Sequence, residues 1–103
     1  CSGQIPLDPV SGEMVGNGDV AAETRQVLKN LLAVLQQADA GAHQVVRTTV
    51  FLADLSDFQT VNGIYAEVFG SVVSPARACV QVAALPKGAR VEIDCIAWLG
   101  GDA

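Results

Sequence analysis

The chain has 103 residues, half of them hydrophobic, with 6 basic against 11 acidic side chains and a formal net charge of −5. That length supports one domain over residues 1–103. The scattered basic residues argue against a nucleic-acid partner, which draws on clustered Lys and Arg. The apolar excess exceeds what so small an interior absorbs, so part of it is expected between subunits.

Residues 7–19 read as a loop, with Asp8-Pro9, Ser11-Gly12 and Gly16-Asn17-Gly18 as turn formers. Asp19 is placed to cap a helix, and Glu23 falls in its electropositive first turn. Val27, Leu28, Leu31, Leu32 and Leu35 then give an amphipathic stripe, with Gly41 expected to close the helix. Val45 to Leu52 is β-branched and reads as a strand. Asp57 is placed to cap a second helix, whose apolar face is Phe58, Val61, Ile64, Tyr65, Val68 and Phe69, with Gly70 as its stop.

From Pro75 to Asp94 the pattern predicts a hairpin turning at Pro86-Lys87-Gly88. Alternation sets Arg77, Cys79 and Gln81 against Ala78, Val80 and Val82 on the first arm. On the second it sets Val91, Ile93, Cys95 and Ala97 against Arg90, Glu92 and Asp94. If the apolar faces coincide, Arg77 and Glu92 project from the same side of the sheet. A permanent cation beside a carboxylate would suit a small anionic substrate. The element order is helix, strand, helix, strand, strand, so the class is α+β.

The chain carries three cysteines, Cys1, Cys79 and Cys95. Their spacing fits no zinc motif, so no metal site is expected, and reduced thiols in a cytoplasmic setting are. No apolar run reaches membrane-spanning length. No signal peptide is visible, but the chain does not begin with Met, so organellar targeting stays open.

Several motifs occur in order: Ser2-Gly3-Gln4-Ile5-Pro6, Val61-Asn62-Gly63-Ile64-Tyr65, Pro75-Ala76-Arg77, Val82-Ala83-Ala84-Leu85-Pro86-Lys87-Gly88 and Val91-Glu92-Ile93. Together they resemble the RidA/YjgF family of reactive intermediate deaminases over essentially the whole chain. The resemblance implies a chorismate mutase-like ββαβαββ fold with two helices on one face of the sheet. Two strands precede and enter the Ser-Gly-Gln motif in that family, and the chain reads as incomplete there. The family's tyrosine in a Pro-Tyr-Ser-Gln context has no counterpart, because Tyr65 belongs to a different motif.

The resemblance further implies a homotrimer with pockets between subunits and no cofactor. It implies hydrolysis of 2-imino acids such as 2-iminopropanoate and 2-iminobutanoate to 2-oxo acids and ammonia. In that setting Arg77 binds the substrate carboxylate, and Glu92 orients or deprotonates the attacking water. Backbone groups at Cys79 contact the ligand, Ser2 and Gly3 line the pocket, and Asn62 is a pocket or capping residue. Family members have also been described as endoribonucleases and translation inhibitors, which keeps an RNA-directed role open beside that of a non-catalytic trimer binding small acids.

The residues alone also allow blander roles. Arg77 could form a surface ion pair worth about 0–1 kcal/mol. Glu92 could be an exposed strand acid, with Asp94 as its rival. Cys79 reads as a packed small side chain, His43 as a surface residue, Lys87 as a turn residue and Trp98 as packing at a strand terminus.

Overall fold

The computed structural model describes residues 3–16, 18–70 and 76–99. Helix α1 spans Val20–Gln37, strand β1 Val45–Leu52, helix α2 Phe58–Phe69, strand β2 Ala76–Gln81 and strand β3 Val91–Ala97. The mixed α+β class is as expected, and β1 occupies the predicted residues.

The hairpin is not formed. The strand order is β2-β1-β3, with β1 parallel to β2 and antiparallel to β3. The segment β1–α2–β2 is a βαβ crossover, which makes its two strands parallel neighbours. That leaves the far edge of β1 for β3. Residues 82–90 therefore wrap round the end of β1 rather than closing a turn. Val82 N–H donates to the Leu52 carbonyl at 2.9 Å, and Ala53 N–H to the Arg90 carbonyl at 3.0 Å. Pro86–Gly88 forms a single 3-10 turn in which Lys87 takes φ +57° and Gly88 φ +69°. Lys87 is thus a turn residue, as its sequence suggested.

Both helices cover one face. Val27, Leu28, Leu31 and Leu35 of α1 and Val61, Ile64, Tyr65 and Phe69 of α2 pack on Val50, Leu52, Val91, Ile93 and Cys95. Each α-helical stripe matches its apolar period, and the alternation along β3 matches its burial. On this face the Thr48 and Tyr65 hydroxyls share a buried hydrogen bond of 2.7 Å.

The caps refine the expected ends. Asp19 caps α1 by accepting from Ala21 N–H at 3.0 Å. Gly41 does not close that helix. Its last helical residue is Gln37, and Asp39 at φ +58° takes the left-handed position of a Schellman ending. Asp39 N–H donates to the Gln36 carbonyl and Ala40 N–H to the Leu35 carbonyl. Asp57 stands at the start of α2 but makes no side-chain cap bond. Its carboxylate accepts instead from the Arg90 guanidinium at 2.8 Å. Glu23 is buried, and its carboxylate accepts from Arg90 N–H at 2.8 Å. Gly70 does end α2, at φ −73°. Its lack of a side chain matters because a Cβ there would run into the Ala66 carbonyl.

Before α1 the chain adds to the sheet. Gln4 pairs antiparallel with Ile93, with backbone bonds of 2.8 and 3.1 Å. Asn30 of α1 donates to the Ile5 and Leu7 carbonyls, pinning this segment against the helix. Residues 8–12 turn tightly, with the Asp8 carboxylate accepting from Val10 and Ser11 N–H. Those two bonds hold the exposed Asp8 carboxyl below its ordinary range.

Candidate functional site

Strand register decides where the charged side chains point. Arg77 is the register partner of Thr48, and Glu92 the partner of Phe51. Residues paired across a ladder share a face, and residues three apart on one strand lie on opposite faces. Thr48 faces the helices. Arg77, Cys79 and Gln81 therefore emerge on the helix side, while Glu92 and Asp94 emerge on the open side. The expectation that Arg77 and Glu92 share a face is wrong within one chain. It assumed that Ala78 and Val80 face the core, but the residues packed there from β2 include Cys79. Val80 is 42% exposed on the other face.

Arg77 is exposed on the β2 edge and held by α2. Its Nη1 donates a short hydrogen bond to Asn62 Oδ1. Its guanidinium carbon lies 4.9 Å from the centre of the Tyr65 ring and 5.5 Å from that of Phe58. Asn62 is thus brought to Arg77, with its amide oxygen engaged there rather than at a helix cap. Sequence reasoning placed Phe58 and Tyr65 only in the apolar stripe. Their spacing with Asn62, i, i+4 and i+7, was the available signal that they share one helical face. Burial pushes the Tyr65 hydroxyl above its ordinary pKa, against the opposing pulls of the Thr48 hydrogen bond and the Arg77 charge.

Cys79 follows Arg77 on the same face and is half-buried with a free thiol. Burial raises its pKa, and the Arg77 charge opposes that only in part. A protonated thiol is a poor nucleophile, so packing is the better description of this side chain. Because β2 is an edge strand among the described residues, half of its backbone polar groups point away from β1. That is where the expected backbone contacts would lie.

On the opposite side, Gly3 and Glu92 are brought together. A Cβ on Gly3 would lie 2.9 Å from Glu92 Cδ and would collide with Oε2. Any side chain at this position would push the Glu92 carboxylate from its place. The pairing of Gln4 with Ile93 fixes the approach. Ser2 lies outside the described residues.

A cavity of about 460 Å³ opens between the Gly3–Gly12 segment and α1, lined by Gln4, Ile5, Leu7, Asn30 and Val34 among others. Neither Arg77 nor Glu92 lines it, so it is not the place where those charges would act. His43 is exposed in a 3-10 turn, as expected. Trp98 stands at the end of β3, where its backbone exchanges hydrogen bonds with Gln44, but its side chain is 62% exposed rather than packed. Among the described residues no group of His, Cys, Asp or Glu is arranged to hold a metal ion, and no helix is long and apolar enough to cross a membrane.

A helix-backed α+β sheet with an aromatic-backed arginine at its edge now meets its relatives. Residues 1–99 match the family model described as endoribonuclease L-PSP. The human 2-iminobutanoate/2-iminopropanoate deaminase is 54% identical over 99 residues, covering 96% of this chain and 71% of that protein. The crystal structure of the YjgF gene product of E. coli superimposes with a TM-score of 0.87 at 46% identity, covering 93% of this chain and 76% of that one. The structure of E. coli TdcF with bound serine gives 0.89 at 40% identity, over 96% and 78%. The chain belongs to the RidA/YjgF family.

Proposed function

We propose that this protein hydrolyses 2-imino acids, with 2-iminopropanoate and 2-iminobutanoate as its substrate class. The observation that carries the reading is Arg77, an exposed guanidinium with one donor on Asn62 and two aromatic rings behind it. Such a fork has donors left for a planar carboxylate. The name of the human relative supports the imine as the group attached to that carboxylate.

In this reading Arg77 holds the carboxylate, and backbone groups near Cys79 and Gly3 hold the imine nitrogen. Glu92 orients a water and takes its proton as the oxygen bonds to C2. The adduct's nitrogen then takes that proton back from Glu92, and the C–N bond breaks with loss of ammonia as the adduct's hydroxyl gives up its proton and becomes the carbonyl. Such imines already hydrolyse in water, so positioning and local electrostatics suffice.

The opposed faces of Arg77 and Glu92 favour a site shared between chains, since one copy cannot turn both toward one ligand. The sheet face away from the helices supports assembly, because it presents Phe51, Val80 and Ile96 beside Glu92 and Asp94. A homotrimer with its pockets between subunits is the assembly proposed. Light scattering at micromolar concentration tests this, and a stable monomer would remove it.

The activity test generates the imine with an amino-acid oxidase or dehydratase and follows 2-oxo acid formation. Acceleration over the spontaneous rate is expected, and a rate equal to it would sink the reading. The family description also names an endoribonuclease. The net charge of −5 counts against an RNA partner. RNA cleavage abolished by Glu92→Gln with the fold intact would reverse the ranking.

A further inference from the structure

The Arg77 clamp carries an extra layer that the proposed reaction does not by itself require. Phe58, Asn62 and Tyr65 project from one face of α2, and all three meet the same guanidinium. Tyr65 is itself fixed, with its hydroxyl on buried Thr48 of β1 and its ring 4.7 Å from that of Phe69. The cradle is thus anchored to the central strand and to the helix core, while the arginine it supports is exposed.

We propose that Phe58 and Tyr65 are positioning residues, which fix the plane of the Arg77 guanidinium before any ligand arrives. An exposed arginine otherwise samples many rotamers, and a ligand must freeze them on binding. A ring within about 6 Å of the guanidinium attracts the cation electrostatically. The Asn62 oxygen fixes rotation about the remaining torsion. The donors not used by Asn62 then present a ready fork to a carboxylate. This inference rests on the carboxylate-clamp role of Arg77, but it can be tested without turnover.

The ligand-free protein supplies the first readout. The Arg77 Nε–H order parameter is expected in the rigid range, about 0.8, and should fall below about 0.6 in Phe58→Leu. A flexible Arg77 in the parent, or an unchanged value in the variant, overturns the proposal. The second readout is pyruvate binding by calorimetry. Phe58→Leu should weaken it by about two- to fivefold, the size expected for an exposed cation–π contact.

Tyr65→Phe keeps the ring and should hold pyruvate near the parent affinity, whereas Tyr65→Leu should not. In an Arg77→Met background, Phe58→Leu should have no further effect. Equal weakening of pyruvate and its uncharged methyl ester would mean a general packing defect and would also overturn the proposal. If the parent shows no imine hydrolysis, the functional reading fails. The cradle is then judged by the order parameter alone.

Discussion

Arg77 on β2 and Glu92 on β3 belong to one three-stranded sheet, yet their surroundings differ in kind. Arg77 stands on the helix side, where side chains of α2 take up one hydrogen-bond donor and two approaches to its guanidinium. Glu92 stands on the open side, where the close neighbour is the backbone of Gly3. One charge is oriented by side-chain contacts and the other is bordered by a missing side chain. The first arrangement depends on several groups acting on one guanidinium, so the loss of a ring loosens it. The second depends on the absence of one Cβ, whose addition would push the Glu92 carboxylate aside.

The difference can be broken outright by Glu92→Gln. Gln keeps the shape and can still hydrogen-bond water, but it cannot take a proton. Turnover of the imine should fall by about a hundredfold or more, with little loss of affinity for a 2-oxo acid. An unchanged rate would make Glu92 structural. Arg77→Lys should cost about tenfold to a hundredfold in kcat/KM, since a point charge replaces a planar fork and one charge-assisted bond is worth about 1.5–3 kcal/mol. Parent-like activity with the same oligomeric state would remove the clamp.

Mixing these two impaired variants sharpens the comparison. If each site draws Arg77 from one chain and Glu92 from another, co-refolded mixtures should exceed the summed activity of the two variants measured alone. No such excess in verified mixed assemblies would place both residues in one chain's site, against the strand register.

Gly3→Ala probes the other half alone. The added methyl must displace the Glu92 carboxylate, and kcat should drop by about tenfold to a hundredfold through misplacement. Pyruvate affinity should change far less, because Arg77 lies on the other face. An equal loss in both would contradict the separation of the two regions.

The smallest effect is on stability in alkali. Burial raises the pKa of Cys79 and Cys95 above the thiol value of 9.0, and that of Tyr65 above 10.0. The unfolded chain therefore loses these protons before the folded one does. Stability from keeping the groups neutral is full below about pH 9 and declines as the pH rises through the folded values. Denaturant melts between pH 8 and 11 should show this decline, and Cys79→Ala should reduce it. A midpoint constant over that range would mean the thiols and the phenol are freely solvated.

Much of the fold was legible from residue order alone. The 3.6-residue stripe of α1, the β-branched run of β1 and the alternation of Val91, Ile93 and Cys95 each report a local period, and burial follows that period. Asp19 and Lys87 were readable because caps and turns are set by a few adjacent residues. The motifs carrying Gly3, Asn62, Arg77 and Glu92 also identified the family without any contact being known.

Tertiary structure decided which face each period turns inward. Arg77-Cys79-Gln81 and Ala78-Val80-Val82 both alternate perfectly well, and only the insertion of β1 between β2 and β3 assigns the polar set to the helix side. The βαβ rule would have given the parallel neighbour, but strand pairing is a long-range choice that no short window encodes. The same holds for Asp57, whose local role as a cap gives way to Arg90, a partner 33 residues away. The aromatic backing of Arg77 and the contact of Gly3 with Glu92 likewise exist only once distant segments meet.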